Sequence, residues 1–258
     1  MSDNPHLNQT ISSLQQRWGP RALYRANQLR QVGSWPTGMP FLDLLVEHGG
    51  LPRGKITSIF GSCCCGKTSL SQMLLASHTI RSSATVVHID LALNLDPWYL
   101  GLLGADLSRL YVLRPASSDD AALAIRKFAE SGTEMISIHI PARLTEDSRW
   151  DQHLPLINAA AERGGAMVLA NLETSPQGPW SRWSSLNLEV IPGDWVWENH
   201  QLVGLRSTIR CLKNKLGTGG SAAELTVHYP LGPRLTAQTA ARVKSPEAAR
   251  DHQFTKAC

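Results

Sequence analysis

The sequence predicts an α/β fold in which a mostly parallel β-sheet is covered by helices on both faces. Between residues 36 and 235, short apolar runs typical of buried strands alternate with segments of helical periodicity. A glycine-rich octapeptide joins one of these strands to the helix that follows it. Toward the C-terminal side, runs of period two predict antiparallel strands that extend the sheet.

The alternation assigns the elements in chain order. Near-continuous apolar runs bounded by turn residues predict parallel strands at 56–60, 85–90, 110–113, 135–140 and 166–171. Helical periodicity between them predicts helices at 67–77, 97–103, 118–131 and 150–163. Beyond residue 186, the alternating runs 208–212 and 224–229 are separated by a glycine-rich turn, which predicts antiparallel pairing.

The segments on either side of this core are short. Apolar residues recur at helical spacing from Ile11 through Leu14 to Trp18, and Gly19-Pro20 ends the pattern. The C-terminal residues lack periodicity, so we expect them to be disordered. The predicted organisation is a helical arm with a connector (1–35), one α/β core (36–235) and a tail (236–258).

Composition excludes several classes of protein. Neither a signal-peptide pattern nor a run of about eighteen apolar residues occurs, so we expect a soluble, cytoplasmic protein without a membrane partner. The five cysteines form no CxxC pair and the nine histidines show no HExxH spacing, which argues against a structural zinc site. The net charge of +4 is too small to decide whether the partner is a polyanion.

The octapeptide carries the strongest functional signal. It reads Gly61-Ser62-Cys63-Cys64-Cys65-Gly66-Lys67-Thr68, is followed by Ser69, and matches the phosphate-binding pattern GxxxxGK[ST]. Its glycines let successive N–H groups face an anion, Lys67 can reach the terminal phosphates, and the Thr68 hydroxyl can ligate Mg²⁺. A purely structural turn is the alternative, but the strand before it and the helix after it favour nucleotide binding.

The surrounding sequence resembles the bacterial RecA recombinase family. The resemblance is carried by Leu42-Asp43, by the run from Gly49-Gly50-Leu51-Pro52 into the phosphate loop, by Leu95-Asp96-Pro97-Trp98-Tyr99 and by Leu212-Lys213-Asn214-Lys215. It extends from Leu14 to about Leu235 and implies a RecA-like P-loop core that binds ATP with Mg²⁺. We expect the separate C-terminal domain of the family to be missing.

The resemblance also implies roles for individual residues. Asp96 and Tyr99 would contact the adenine, and Tyr229 would cap it. Lys213 and Lys215 would reach the γ-phosphate bound by a neighbouring subunit. Two alternatives stay open from the residues alone: an exposed lysine pair on an edge strand, and a helix N-cap at Asp96, which does not exclude ligand binding.

Three positions depart from the family pattern. Ala92 stands where the family has the acid that acts on the attacking water, two residues beyond Asp90. His139 stands in place of the Walker B aspartate, and Leu172 follows Asn171 in place of the glutamine that senses the γ-phosphate. A missing general base costs about 10²–10⁴ in rate, so we expect ATP or ADP binding with little hydrolysis.

DNA contact is predicted from one short cluster. Trp180, Arg182 and Trp183 lie in the expected loop after residue 171, where two tryptophans could stack on unpaired bases of single-stranded DNA while Arg182 meets a phosphate. Aromatic packing at a sheet edge or a protein interface is the favoured alternative. Self-association through the N-terminal arm, or docking to a repair protein, is the expected mode of assembly.

The function expected is therefore an ATP-binding protein of DNA repair and recombination with weak or absent hydrolysis. One alternative is an ImuA-like adaptor of a lesion-bypass complex in the SOS response. Another is a fully active filament-forming ATPase whose acid comes from Glu134 or Glu173, of which Glu173 is the better candidate because it follows a strand end. The adjacent cysteines indicate either a redox sensor or small residues that merely fit the loop.

Overall fold

The structure is a computed structural model that describes residues 5–19, 32–47, 49–174, 176–198 and 200–228. Contacts between residues separate the chain into two units, residues 1–32 and residues 33–258. The predicted tail (236–258), most of the connector and Tyr229 lie outside the described residues. Within the described residues, no helix combines the length and the apolar character that crossing a membrane requires.

The first unit contains helix α1 (Pro5–Trp18). The helix ends at Trp18, one residue before Gly19, whose φ of +94° lies in the left-handed region that glycine tolerates. This is the helix that the spacing of Ile11, Leu14 and Trp18 predicts.

The second unit is built on one large sheet. Its central parallel strands are β3 (Ile56–Phe60), β4 (Val86–Asp90), β5 (Leu110–Leu113), β6 (Met135–Ile140) and β7 (Met167–Leu172). They are followed by β8 (Leu186–Glu198), β9 (Gln201–Asn214) and β10 (Ala222–His228). The strand order is β10-β9-β8-β3-β7-β6-β4-β5, in which β8 runs parallel to β3 while β8, β9 and β10 pair antiparallel. A separate two-stranded ribbon joins β1 (Ser34–Trp35) to β2 (Leu51–Pro52).

Helices cover both faces of the sheet, which buries the apolar strands on each side. They are α2 (Pro40–Leu45), α3 (Lys67–Arg81), α4 (Pro97–Leu102), α5 (Ser118–Glu130), α6 (Ala142–Thr145), α7 (Arg149–Gly164) and α8 (Gly178–Trp183). Residues of α2 and α3 share one buried apolar cluster with the sheet, and residues of α5 and α7 share the other. The predicted α/β fold, with its mostly parallel sheet and antiparallel C-terminal strands, is confirmed.

The main error of the sequence-based assignment lies after β7. Residues 178–183, which we expected in a loop, form helix α8, and this helix carries the chain from the end of β7 to the start of β8. Ser185 N donates to Ile56 O over 2.9 Å, so β8 starts level with the first residue of β3. The short helix is held by packing against α7, which local sequence patterns do not report.

The strand register aligns the residues that matter for function. Ile59 pairs with Asn171, Asn171 with His139, and His139 with Asp90, so the four residues form one row across the sheet. Because these strands are parallel, the loops that follow them all leave from the same edge. The phosphate loop follows β3 and therefore leaves from this edge, which we call the carboxyl edge.

Candidate phosphate-binding site

Three hydrogen bonds, two of them to other parts of the fold and one within the loop, hold the phosphate loop in place. Gly61 N donates to Thr174 O over 3.2 Å, Ser207 Oγ donates to Cys65 O over 2.8 Å, and Lys67 Nζ donates to Ser62 O over 2.9 Å. The loop is thereby fixed to the turn after β7 and to β9. A loop held in this way requires little reordering when a ligand binds.

Both glycines of the motif are required, Gly61 by space and Gly66 by its backbone conformation. A Cβ on Gly61 would lie 2.6 Å from Cys65 Sγ and 2.6 Å from Val190 O, and that carbonyl is backbone that cannot move aside. Gly66 has a φ of +89° and directly precedes α3, so a side chain there would be strained. The tight curl that the motif predicts is therefore present in the backbone.

A pocket of about 310 Å³ opens beside the loop, a size within the range of small-molecule sites. Its lining residues are Cys64, Cys65, Gly66, Lys67, Thr68, Ser69 and Trp195. The ammonium group of Lys67 belongs to a side chain that is almost fully buried, with 3% of the residue exposed. A buried cation bonded to a neutral carbonyl is costly, and an anion in the pocket would offset that cost.

Trp195 is the residue of this pocket that sequence reasoning missed. It lies on β8 opposite Leu205 of β9, after an irregularity in the strand register that begins at Pro192. Half of its surface is exposed, so its ring is available to a ligand. No local signal places it near the loop, since 128 positions separate Trp195 from Lys67 in the sequence (195 − 67).

The three cysteines of the loop differ in environment. Cys63 and Cys64 are exposed, with their Sγ atoms 3.5 Å apart, whereas Cys65 is buried. The pKa of Cys64 is raised, first by its hydrogen bond with Cys63, and the charge of Lys67 acts in the opposite direction. Burial is the main cause of the raised pKa of Cys65.

A buried polar cluster occupies the carboxyl edge beside the loop. Asp90 is 1% exposed; its carboxylate accepts from Asn94 N over 3.1 Å and lies 3.6 Å from Arg114 Nε. His139 Nε2 lies 3.5 Å from Glu173 Oε1. The pKa of His139 is lowered, first by burial and also by the charge of Lys67, while Glu173 opposes the shift. The imidazole is therefore neutral at pH 7, and its contact with Glu173 is a polar contact rather than an ion pair.

The two other positions that we expected to depart from the family pattern lie near the same edge. Ala92 follows β4 and is half-buried, and its methyl group offers no acid or base. Leu172 is fully buried in the apolar cluster shared with α5 and α7, so its side chain is committed to the core. The two positions contribute no polar group to the pocket.

Glu134 and Glu173 were the two candidates for a catalytic acid in place of the one absent at Ala92, and the structure rules out Glu134. This residue precedes the first residue of β6 and therefore lies at the opposite edge of the sheet, where its carboxylate accepts from Ser82 Oγ over 3.0 Å and lies 3.4 Å from His78 Nε2. Glu173, in contrast, lies in the turn whose next residue, Thr174, bonds Gly61. About a third of its side chain is exposed.

The residues expected to contact adenine are separate from the pocket lining. Asp96 N-caps α4, because its Oδ1 accepts from Tyr99 N over 3.0 Å. Tyr99 is half-buried. Both lie at the carboxyl edge beyond β4, whereas the pocket beside the phosphate loop is lined by Trp195. A role in binding the base stays a prediction for Asp96 and Tyr99.

Lys213 and Lys215 lie where the parallel strands begin, at the end of the sheet opposite the carboxyl edge and its phosphate loop. Lys213 pairs with Asn187 near the start of β8, and its Nζ donates to Ser181 O over 2.7 Å and Arg182 O over 3.0 Å. The pKa of Lys213 is lowered, first by burial and then by Lys215. The strand that carries Lys213 is internal to the sheet, since β9 lies between β8 and β10, so the alternative of an edge strand is wrong.

The base-stacking hypothesis is wrong for Trp180. This residue is 1% exposed, and its ring lies 4.9 Å from the ring of Trp150 at an angle of 62°. Trp183 is half-buried and packs against the same cluster. Arg182 is exposed but forms an ion pair with Asp151. The cluster is mainly the contact of α8 with α7, in keeping with the packing alternative.

Comparison with known proteins identifies the family. The family model for the RecA N-terminal domain matches residues 5–154, more than half of the chain. The chain belongs to the RecA family. Among similar proteins, RecA of Thermus aquaticus is 28% identical over 261 residues, which cover 88% of this chain and 76% of that protein. RecA of Aquifex pyrophilus is 30% identical over 260 residues, which cover 88% of this chain and 74% of that protein.

RecA of Staphylococcus carnosus is 27% identical over 260 residues, which cover 88% of this chain and 73% of that protein. Such identities preserve a fold while leaving wide scope for change at individual site positions. For this member of the RecA family, the phosphate loop matches the pattern GxxxxGK[ST] in full. The departure of Ala92, His139 and Leu172 from the family pattern stays a prediction.

Proposed function

We propose that this RecA-family protein binds ATP or ADP with Mg²⁺ in the phosphate-loop pocket and hydrolyses ATP slowly. The observation that carries the proposal is the buried ammonium of Lys67, which sits in a glycine-curled loop at the start of a fifteen-residue helix. The N–H groups at such a helix start attract phosphate, and the helix dipole adds to that attraction.

The residues present fit the phosphates better than they fit the metal. Lys67 and the loop amides would hold the phosphates, and the Thr68 hydroxyl would be a ligand of Mg²⁺. At the Walker B position the chain offers the neutral imidazole of His139, which is a poor partner for a hard cation and its water shell. Bound Mg²⁺ would neutralise phosphate charge, and we expect its contribution here to be weaker than in a site with two oxygen ligands from the protein.

Slow hydrolysis follows from the residues at the carboxyl edge. Ala92 can neither accept a proton nor orient water, and the absence of a general base costs about 10²–10⁴ in rate. Glu173 supports the rival reading of an active ATPase, because it lies beside His139 and next to the residue that bonds Gly61. Turnover with single-stranded DNA above about 1 s⁻¹, abolished in Glu173→Gln, would establish that rival.

Family membership supports a role in DNA repair and recombination. We propose that the protein binds single-stranded DNA and associates with further copies of itself. Lys213 and Lys215 cannot serve the nucleotide of their own chain, because the sheet separates them from its phosphate loop. A contact with a nucleotide of a neighbouring subunit is compatible with that placement. The ImuA-like adaptor, the SOS response and a cytoplasmic location stay predictions.

Nucleotide binding has a direct test in the intrinsic fluorescence of Trp195. We expect ADP to change the tryptophan emission of the wild-type chain in a saturable way. In Trp195→Phe most of that change should be lost, and calorimetry measures ADP binding by both proteins independently of fluorescence. Trp197→Phe, on the exposed part of the same strand, is the matched control. Absence of calorimetric binding by wild-type protein at millimolar ADP would refute the proposed function.

A further inference from the structure

Two exposed thiols lie side by side in the phosphate loop. Cys63 Sγ and Cys64 Sγ are 3.5 Å apart and form a hydrogen bond. The other free cysteines that the structure describes, Cys65 and Cys211, are buried. Over the described part of the chain, a reagent in solution therefore meets this pair first.

The backbone holds the pair in place at a cost. Cys64 has a φ of +58°, a left-handed conformation that is unfavourable for a residue with a β-carbon. The bonds of Lys67 to Ser62 O and of Ser207 to Cys65 O fix the loop on both sides of the pair. Strain maintained by surrounding contacts is typical of functional positions, which directs attention to the two thiols.

We propose that Cys63 and Cys64 are a redox-modification site, at which a low-molecular-weight disulfide such as glutathione disulfide converts the two thiols into a reversible intrachain disulfide that competes with nucleotide. The predicted competition with nucleotide rests on the proposed function, whereas the formation of the disulfide between the two sulfur atoms is independent of it.

The reaction is a pair of thiol–disulfide exchanges. One cysteine, as its thiolate, attacks a sulfur of glutathione disulfide and releases one glutathione thiolate, which takes up the proton that the cysteine lost. The second cysteine thiolate then attacks the protein sulfur of the mixed disulfide and releases the other glutathione in the same way. The two protein thiols are oxidised, and one glutathione disulfide is reduced to two thiols.

The product would be strained and would distort the loop. A disulfide requires a sulfur separation of about 2.05 Å, so the two atoms must approach from 3.5 Å. Adjacent Cα atoms are about 3.8 Å apart, below the range of about 4.4–6.8 Å that relaxed disulfides span. Strain makes such a bond easily reducible, as a reversible switch requires. The peptide between the cysteines belongs to the proposed phosphate cradle, so its distortion weakens nucleotide binding.

The first experiment tests the disulfide without nucleotide. Reduced full-length protein is incubated with glutathione disulfide, remaining thiols are alkylated, and intact mass and fragment-ion spectra are recorded. We expect a product that has lost two hydrogen atoms, with the bond located between Cys63 and Cys64. Cys63→Ser and Cys64→Ser should each abolish this product, whereas Cys65→Ala should retain it. Wild-type spectra alone locate the bond if a variant fails to fold.

The second experiment tests the competition with nucleotide. If only the nucleotide-free form reacts, ADP at ten times its Kd should slow disulfide formation about tenfold, and dithiothreitol should restore binding to oxidised protein. Stable glutathione adducts that never give the intrachain disulfide, dimers linked between chains, or unchanged ADP affinity after oxidation would each overturn the proposal. If reduced protein fails to bind ADP, the proposed function fails, and the mass measurement still decides whether the disulfide forms.

Discussion

Replacing Trp180 with alanine separates the two interpretations of the α8 cluster. Trp180 is 1% exposed and packs edge-on against Trp150 in the cluster that α7 shares with the sheet. Truncation of a buried aromatic side chain to alanine costs about 3–5 kcal/mol. For a domain of this size each kcal/mol lowers the Tm by about 2–4 °C, so we expect a decrease of about 6–20 °C.

Thermal and urea unfolding followed by circular dichroism measure this loss. Arg182→Ala is the matched control on the same helix, because its exposed ion pair with Asp151 is worth at most about 1 kcal/mol. Single-stranded DNA binding by each variant is measured below its Tm. Unchanged stability of Trp180→Ala together with loss of DNA affinity would refute the packing interpretation and restore base stacking.

Three further predictions concern the nucleotide site and pH. Lys67→Ala should weaken ATP binding about 10- to 100-fold in calorimetry, because a hydrogen bond to a charged group contributes about 1.5–3 kcal/mol; an unchanged Kd would contradict the assigned role. The double variant Ala92→Glu with His139→Asp should raise the ATPase rate about 10²-fold or more in a steady-state assay, and no increase would show that the defect lies elsewhere. Burial lowers the pKa of His88 from 6.5 to about 4, so the folded state binds fewer protons than the unfolded state in that interval. The free energy of unfolding should therefore be fully retained above pH about 6.5 and fall by about 1.4 kcal/mol per unit toward pH 4, with a smaller slope in His88→Gln.

Much of the fold could be predicted because the central strands are locally encoded. Residues 56–60, 110–113 and 135–140 are mainly apolar runs bounded by turn or charged residues, and the structure gives these strands the same bounds. The phosphate loop could also be predicted, because the spacing of its glycines and Lys67 is typical of one backbone conformation. The helix starts at Pro97 and Ser118 were predicted correctly, because proline and the N-cap serine are local signals.

The features that sequence reasoning missed depend on contacts between distant segments. Trp195 joins the pocket through the pairing of β8 with β9, and Trp180 is buried by its contact with Trp150 on another helix. The preference for Glu173 over Glu134 followed from strand direction, but the contacts of Glu173 with His139 and of its neighbour Thr174 with Gly61 could not be predicted. Periodicity reports which face of an element is apolar, but it does not report which element covers that face.

The central claim is that the phosphate loop binds ATP although the residues expected to support ATP hydrolysis are replaced by Ala92, His139 and Leu172. The most direct test measures ATP uptake by equilibrium dialysis and ATP turnover on the same preparation, with Mg²⁺ and single-stranded DNA present. We expect one ATP bound per chain, an ATP Kd about 10- to 100-fold higher in Lys67→Ala, and turnover well below about 1 s⁻¹. No uptake at millimolar ATP, or turnover above that rate, would contradict it.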